Sequence, residues 1–451
     1  MTQGPIRKQL ISFALPLFAG SLIQLLYNTV DLMFVGRVLG TEASAAVGAS
    51  SLIVTCILGA FTGLSVGVGV VTAKAVGSGN IGRLNQIIHC AAGLTCVLSL
   101  VFTVLGLIMA PGFLRWIQTP ADVLENATAY LRLYLLSLIS IVSYNMGSGI
   151  LRALGNTKSP TLYQLAGGIA NIIGNTLFIC FLDWGVQGAA LATACSQGLA
   201  AFLIIRHLCT IKTPYRLRLR QLQINASICG QFLLVGIPAA IQSIVITLSN
   251  LIVQAHINQL GIDSMAAFTA YFKVENFIYL PIMAFGQACS TFTSQNIGAN
   301  QVDRAKQGVK TSLFLGITVT ISASVLTLCF SDFAFGLFSK EPAVIALGTK
   351  IAFVAYPFYF IYVFLEVYAS AIRGAGKALP AMLIVVINMC VVRTCILKVV
   401  LHFYPNALGV AAIYPLTWAC TGLCLFLYYK SGGWFSAQTD VARKRIPVGQ
   451  R

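Results

Sequence analysis

Asp31 is the first residue of the sequence whose position calls for a chemical explanation. It lies in an apolar stretch, residues 10–40, that exceeds the ~20 residues a bilayer-spanning helix needs. An ionised Asp inside a span costs at least ~2.5 kcal/mol, so such a residue marks a function by default. The alternative is a solvated end residue at the headgroup level, but Leu32–Val35 continue the apolar run beyond it. We therefore expect Asp31 to act within the membrane.

Three polar residues of later apolar segments are expected at a similar depth. Asn171 and Asn175 lie in a segment that runs outward, as the first does, and Thr193 lies in the next, which returns. At ~1.5 Å per residue, all of them fall within ~10 Å of the depth of Asp31. A carboxylate with amide and hydroxyl oxygens suits a hard cation or a proton relay. The alternative is that the three neutral residues are interhelical hydrogen-bonding groups.

The second half of the chain carries its own charges within predicted spans. Glu275 and Arg393 are expected at matching depths, so we predict that Glu275 pairs with Arg393 or with Lys273, either structurally or as a substrate contact. Glu366 is expected to face cytoplasmic water or Arg373. Aromatic faces suit hydrophobic cations, although packing against lipid is the alternative. The candidate residues for a substrate cleft or charge pair are Asn28, Asn250, Lys273, Glu275, Tyr279, Tyr356, Glu366 and Arg393.

Composition identifies the class of protein. Of the 451 residues, 57% are hydrophobic and 9% charged, against ~25% charged in a soluble domain. The net charge of +17 fits basic cytoplasmic loops better than a nucleic-acid partner. The 13 cysteines lie almost all in apolar runs and the 4 histidines are scattered, so we expect neither a disulfide framework nor a metal site. No GxxxxGK[ST] motif is present, and no cofactor or enzymatic activity is expected.

The elements that must position these residues are twelve apolar segments, which predict an all-α polytopic membrane protein. The segments are 9–36, 46–73, 86–111, 128–151, 160–182, 186–206, 228–258, 264–293, 309–335, 346–372, 379–402 and 407–430. They predict an N-terminal lobe (1–206), a cytoplasmic linker (207–227), a C-terminal lobe (228–430) and a cytoplasmic tail (431–451). Most Lys and Arg then fall on the cytoplasmic side, with both termini. The basic linker 212–220 is read as a topology signal or a contact for anionic lipid.

The two halves repeat each other. Pro16 matches Pro238 and Asn28 matches Asn250 at one constant offset, and the phrases VGSGNIGRLNQ and ILRALGNTKSP recur as IGANQVDRAKQ and AIRGAGKALP. Six spans per repeat give two parallel halves related by an axis along the membrane normal, with a substrate site expected between them. GLSVGVGV (63–70) contains a Gly-xxx-Gly pair and predicts close helix packing rather than a nucleotide loop.

These phrases, with ALPLFAGSLIQLLYNTVDLMFVGRVLG and WGVQGAALATACSQ, resemble the multidrug and toxic compound extrusion (MATE) family over about residues 8–430. The resemblance implies a V-shaped, two-lobe antiporter of the bacterial inner membrane. Such a protein would be a monomer that expels drugs or other organic cations, in contact with membrane lipids, in exchange for protons or sodium. Asp31, Asn171, Asn175 and Thr193 match the family's N-lobe cation and proton site.

The departure from the family pattern is Asn175, where many relatives carry a second Asp. A single carboxylate weakens the case for tight sodium binding. The alternative function is a lipid-linked saccharide flippase of the same superfamily, whose cleft would need more basic residues for phosphate.

Overall fold

The computed structural model describes residues 1–435, apart from the side chains of residues 32, 37, 41–44 and 52. Residues 436–451, most of the predicted tail 431–451, lie outside the described residues. The described chain is helical and contains no strand. Its α-helices are α1 (Ile6–Val38), α2 (Gly40–Gly77), α3 (Ile81–Trp116), α4 (Ala121–Leu136), α5 (Leu138–Ala153), α6 (Lys158–Asn175), α7 (Gly185–Thr210), α8 (Ala226–Gln259), α9 (Ile262–Gly298), α10 (Val302–Cys329), α11 (Ser331–Gly336), α12 (Pro342–Ala355), α13 (Tyr359–Gly374), α14 (Ala378–Val386), α15 (Arg393–Phe403) and α16 (Ala407–Lys430).

Several of the predicted apolar segments are interrupted helices. Helices α4 and α5 meet at a bend of 43°. A 3₁₀ turn, Tyr356–Phe358, separates α12 from α13 at Pro357, which lacks the N–H that would continue the helix. Helix α6 runs on into a π-helical turn, Thr176–Phe181, and a second such turn, Ile387–Val392, joins α14 to α15.

The helices confirm the predicted all-α polytopic membrane fold. Within residues 1–435, 10 helices are long and apolar enough to cross a membrane, and 11 if the bent pair α4–α5 counts as one span. Helix α9 is not among them, although it has 37 residues, and it carries Asp263, Lys273 and Glu275. Asp263 is exposed in the first turn of α9, whereas Lys273 and Glu275 lie within the helix, as the sequence predicts.

The described chain forms two compact units that differ from the predicted lobes at their edges. We call Leu15–Ala240 the first unit, and Met1–Ala14 with the chain from Ile241 onward the second unit. The division falls inside α1 and α8, two residues from Pro16 and Pro238 respectively. The first 14 residues thus pack with the second half of the chain. The start of α8, residues 226–240, packs with the first half of the chain.

The first unit brings α2 and α8 into backbone contact. A Cβ added to Gly63 would lie 2.2 Å from the backbone N of Ala240, and one added to Gly67 would lie 2.3 Å from the carbonyl oxygen of Phe232. Any side chain at either glycine would force the helices apart. The close packing predicted from the Gly-xxx-Gly pair is confirmed.

The segment between α7 and α8, which we call the strap (residues 211–225), lies along one face of α3. Asn85 donates its Nδ2 to the Pro214 carbonyl at 3.2 Å, and the backbone N–H of Arg218 donates to His89 Nε2 at 3.0 Å. A Cβ on Gly93 would lie 2.7 Å from the carbonyl oxygen of Gln223. These α3 residues are spaced by four, so they share one helix face. The strap is a packed element, with its Lys and Arg side chains exposed.

The second unit holds the N-terminal segment against α10. Arg304 donates Nη2 to the Gly4 carbonyl at 2.7 Å and to Gln9 Oε1 at 3.3 Å. The guanidinium of Arg7 lies 5.1 Å from the ring centroid of Phe314. Residues that begin the chain are thus fixed by residues about 300 positions later.

Candidate functional site

The structure brings Asp31, Asn171, Asn175 and Thr193 together in the first unit. Asn175 donates Nδ2 to Asp31 Oδ1 at 2.7 Å and to Asn171 Oδ1 at 3.2 Å. Asn171 in turn lies 3.4 Å from Thr193 Oγ1, to which its Nδ2 donates. A single chain of hydrogen bonds therefore joins α1, α6 and α7. The depth argument from the sequence placed all four residues within reach of one another, and the structure shows that they are in contact.

Small residues allow α6 and α7 to approach closely enough for this contact. A Cβ on Gly174 would lie 3.0 Å from Ala192 Cβ, and one on Gly167 would lie 3.1 Å from the Ser196 carbonyl oxygen. Asn171 and Asn175 are one turn apart on α6, so both amides point to the same side. The π-helical turn begins at Thr176, directly after Asn175. Such turns are frequent at functional sites.

The side-chain carbonyl oxygen of Asn175 has no hydrogen-bond partner among the described residues. Its NH₂ group faces two acceptors, Asp31 Oδ1 and Asn171 Oδ1, so the orientation of the amide is fixed by its surroundings. Its Oδ1 is buried and accepts no hydrogen bond from any described residue. A buried carbonyl without a donor costs about 1–3 kcal/mol. A cation or a proton donor entering beside Asp31 would satisfy it.

The partners of Asp31 are neutral. Among residues 1–435, the ion pairs are Lys306–Asp303 and Arg373–Glu366, and Asp31 belongs to neither. Its contacts are amides, and the donor set around it consists of carboxylate, amide and hydroxyl oxygens. Hard cations prefer such oxygen ligands. The residues present therefore fit either a bound cation or an exchangeable proton on Asp31.

Three tyrosines near this site are missed by the sequence analysis. Tyr27, Tyr130 and Tyr134 lie within electrostatic range of Asp31. The rings of Tyr130 and Tyr134 stack at 6.3 Å between centroids. Tyr27 lies four residues before Asp31, and that spacing on one helix could have identified it. The other two lie on α4 and carry no comparable signal in the sequence.

The predicted direct pairing of Glu275 with Arg393 or Lys273 is wrong. Glu275 accepts a hydrogen bond from the Tyr359 hydroxyl, and no cation of the described chain lies within ion-pair distance of it. Lys273 stands two residues away on α9 and therefore points to another face, where its Nζ lies 5.5 Å from the ring centroid of Phe338. Arg393 acts on Glu275 only through space.

Arg393 is engaged by neutral partners instead. Its Nη1 donates to Asn250 Oδ1 at 2.8 Å, and its guanidinium lies 5.2 Å from the centroid of the Tyr414 ring. These two contacts hold the side chain and explain why it does not reach Glu275. The other predicted cleft asparagine, Asn28, is exposed.

Glu366 forms the ion pair with Arg373 that the sequence offered as one of two alternatives. Arg373 Nη2 lies 2.9 Å from Glu366 Oε1, and the Ser370 hydroxyl donates to the same oxygen at 2.7 Å. Arg373 Nη1 also donates to Gln242 Oε1 at 3.4 Å. Glu366 is 5% exposed, so the other alternative, cytoplasmic water, is wrong.

The aromatic residues of α9, α13 and α16 form a connected group in the second unit. Tyr279 and Tyr362 lie 5.6 Å apart, and Trp418 lies 5.4 Å from Tyr362 and 4.6 Å from Tyr359, between ring centroids. Tyr356 is fully buried, and its hydroxyl donates to the Tyr271 carbonyl at 3.0 Å. The interpretation of these aromatics as lipid-facing is therefore wrong for Tyr356, which lies in the core.

Comparison with known proteins agrees with this architecture. The MatE family model matches residues 16–177 and 238–397, one match in each half of the chain. A probable multidrug resistance protein of Bacillus subtilis, YpnP, is 28% identical over 96% of this chain and 97% of its own length. An FAD transporter of Shewanella oneidensis is 25% identical over 86% of each chain.

A crystal structure of a MATE mutant shares the fold, with a TM-score of 0.91 at 21% identity over 97% of this chain and 98% of that one. These relatives do not favour the alternative of a lipid-linked saccharide flippase. The assignment to a family rests on the two matches of the family model, one on each repeat. The chain therefore belongs to the MatE family of membrane transporters, which are not enzymes.

Proposed function

We propose that this protein is a secondary-active antiporter that exports organic cations in exchange for protons or sodium, with Asp31 as the coupling group. The observation that supports the proposal is the state of that carboxylate. It lies inside a spanning helix, is held by the neutral Asn175, and stands beside the unpartnered Asn175 carbonyl oxygen. The substrates would be small amphipathic molecules, and the transporter would act as a monomer.

Coupling requires a group whose occupancy differs between the states that face the two sides of the membrane. A carboxylate fixed in an ion pair is a poor candidate, because releasing it strands a buried charge. Asp31 has neutral partners only, so a proton or a sodium ion can arrive and leave without breaking an ion pair. Occupation of the site would then lower substrate affinity in the outward-facing state and favour release.

The choice between proton and sodium depends on how many strong ligands the site offers. Asp31 is its one carboxylate, with Asn171, Asn175 and Thr193 contributing neutral oxygens. A proton needs only the carboxylate. Sodium needs several oxygens, and the Asn175 carbonyl is one that is available without breaking a hydrogen bond of the described chain. Because the site could serve either ion, transport measurements must decide whether the protein couples to protons or to sodium.

The substrate class rests on the second unit. The aromatic group around Trp418 contains the acidic Glu275, which Tyr359 contacts. Aromatic faces and a carboxylate favour hydrophobic cations. A relative is named as an FAD transporter, so an anionic dinucleotide is the comparison substrate. The buried Arg373 is occupied by Glu366 and Gln242, which argues against an anion at that residue. Arg393 donates Nη1 to Asn250, and its buried Nε has no partner in the described chain.

The test is transport by the full-length protein in proteoliposomes, with proton and sodium gradients imposed separately. We expect export of a fluorescent organic cation to follow one of the gradients, and FAD not to be exported.

Asp31→Asn keeps the shape of the side chain but cannot carry a negative charge, and we expect it to abolish gradient-driven export in folded, inserted protein. Asp263→Asn, an exposed acid of α9, is the matched control and should transport as the wild type does. Wild-type export by Asp31→Asn would refute the coupling role.

The orientation is part of the proposal. The Lys and Arg residues of the strap and of the predicted inner loops support an orientation with both termini in the cytoplasm, in a bacterial inner membrane. Exposed strap residues Lys212 and Arg216 replaced singly by Cys should be labelled from the cytoplasmic side only. Labelling of the strap from outside would overturn this topology.

A further inference from the structure

Two of the cysteines lie in contact in the first unit, although 139 residues separate them in the chain. Cys90 Sγ on α3 lies 3.4 Å from Cys229 Sγ on the first turn of α8. Cys90 is 0% and Cys229 8% exposed. Among the described residues they are the one pair of thiols in contact. The sequence analysis expected no disulfide framework, because the cysteines lie almost all in apolar runs.

The end of the strap fixes both thiols. Asn225, its last residue, donates its backbone N–H to Cys90 Sγ at 3.4 Å. The side chain of Asn225 accepts from the backbone N–H of Ser227 at 3.0 Å and of Ile228 at 3.2 Å, which caps the start of α8. Cys229 is therefore held on a capped helical turn, and Cys90 on the helix beneath it.

We propose that Cys90 and Cys229 are an oxidation site that forms a reversible disulfide between α3 and α8. The oxidant is a hydroperoxide. One thiolate sulfur attacks the peroxide oxygen and the O–O bond breaks. That sulfur becomes a sulfenic acid, and the released hydroxide takes up a proton and leaves as water. The second thiolate then attacks that sulfur, the S–S bond forms, and the S–O bond breaks to give a second water. Two thiols and one hydrogen peroxide thus give one disulfide and two waters, and a dithiol reductant reverses the reaction.

The geometry requires only a small movement. A disulfide has an S–S bond of about 2.05 Å, so rotation of the two side chains has to bring the sulfurs closer by roughly 1.4 Å. No other residue of the described chain separates them, since the sulfurs are already in van der Waals contact. The proposed orientation places the pair near the cytoplasmic ends of α3 and α8. In that reducing compartment the dithiol is the resting form, and disulfides that form there are transient and redox-sensing.

Access to the pair is controlled by the strap. Both thiols are buried, so a peroxide reaches them only when the strap lifts from α3. Gly93 lies against the strap, and a methyl group there would collide with the Gln223 carbonyl. Gly93→Ala should therefore loosen the strap and speed oxidation, while the two cysteines and their helices stay in place.

The test uses the full-length protein in detergent. Exposed thiols are first blocked by alkylation, hydrogen peroxide is added, and disulfide-linked peptides are identified by mass spectrometry without reduction. We expect a linked peptide joining Cys90 to Cys229 that disappears after dithiothreitol. Cys90→Ser and Cys229→Ser should each lose it, and Cys195→Ser, an exposed cysteine of α7, should retain it.

A second readout does not depend on the variants. The cross-link closes a long loop, so the oxidised wild type should melt several degrees above the reduced protein, and dithiothreitol should remove the difference.

Gly93→Ala should form the link at least about threefold faster than the wild type. Linkage of Cys90 to a different cysteine, or no link in wild type and in Gly93→Ala after prolonged oxidation, would overturn the proposal.

Discussion

Asp31 in the first unit and Glu366 in the second are both acids inside helices, and their surroundings are opposite. Asp31 is held by an amide, with an unpartnered carbonyl oxygen beside it. Glu366 is held by the Arg373 guanidinium at 2.9 Å and by a serine hydroxyl. The first carboxylate can exchange an ion without loss of a charged partner. The second cannot, because either charge left alone in the interior is costly.

The repeat shows that the two acids do not occupy equivalent positions. At the offset that matches Arg152 with Arg373, Glu366 corresponds to Asn145, which donates its amide to the Ile141 carbonyl at 2.8 Å. At the offset that matches Asn28 with Asn250, Asp31 corresponds to Val253, which is buried in the apolar core. Asp31 and Glu366 therefore occupy different positions of the repeat. Under the proposed function, the first half would provide the exchanging acid and the second a fixed charge.

The largest expected effect tests whether Glu366 is structural. Arg373→Met leaves the Glu366 carboxylate buried without its partner, so we expect the free energy of unfolding in detergent to fall by about 3–5 kcal/mol. Adding Glu366→Gln in the same chain should restore part of this loss. Lys306→Met is the control: it removes one side of the exposed pair with Asp303 and should cost less than about 1 kcal/mol. A stable Arg373→Met protein would remove the contrast between the two acids.

A smaller effect is expected at Arg393, where the question is which partner holds it. Arg393→Met loses a hydrogen bond from a charged donor and a contact with the Tyr414 ring, and we expect a cost of about 1.5–3 kcal/mol. A double-mutant cycle with Asn250→Ala should show a coupling energy above about 0.5 kcal/mol. The parallel cycle with Glu275→Gln should show a smaller one. The reverse order would mean that Glu275 is the partner after all.

Asn175→Asp sharpens the comparison by placing a second acid beside Asp31. We expect a cost of about 1–2 kcal/mol, because a proton shared between the carboxyl groups replaces the hydrogen bond that the amide donated. The loss should be greater in alkaline than in mildly acidic buffer, where the shared proton is kept. In the gradient assay this variant should change its relative response to proton and sodium gradients. An unchanged ion response would show that residue 175 does not take part in coupling.

The smallest effect is expected at Thr193, which lies at the end of the hydrogen-bond chain. Its contact with Asn171 is 3.4 Å long, and its hydroxyl also donates to the Ala189 carbonyl. Thr193→Val keeps the shape, and we expect a cost below about 1 kcal/mol. Thr176→Val is the matched control, since that exposed hydroxyl makes the same type of bond within its own helix. If Thr193 is a ligand, only Thr193→Val should also weaken the ion dependence of export.

The sequence alone predicted the helices and the first-unit site, for different reasons. Apolar length and the duplicated phrases are local signals, so the spans and the repeat could be read directly. Asp31, Asn171, Asn175 and Thr193 could be grouped because helical rise converts residue number into depth. Depth says nothing about the direction in which a side chain points. For that reason the matching depths expected for Glu275 and Arg393 did not reveal that their partners are Tyr359 and Asn250.

Long-range contacts could not be predicted from the sequence either, because the sequence does not fix the direction in which each helix face points. No local pattern shows that the strap lies on α3, that Cys90 meets Cys229, or that the start of α1 belongs with the second unit. Each depends on two helices meeting at a particular rotation. The glycines at 63 and 67 are the exception, because absence of a side chain is itself a signal of close approach.

The contact between Arg304 and Gly4 also has a consequence for biosynthesis. The partner of Gly4, just before α1, is encoded 300 residues later. At a translation rate of about 5–20 residues per second, the ribosome needs roughly 15–60 s to supply it. During that interval the N-terminal residues cannot reach their final packing, whatever the stability of the first unit. The opening segment of the chain is therefore among the last to be locked in place, and a ribosome that stalls before Arg304 leaves it unsecured.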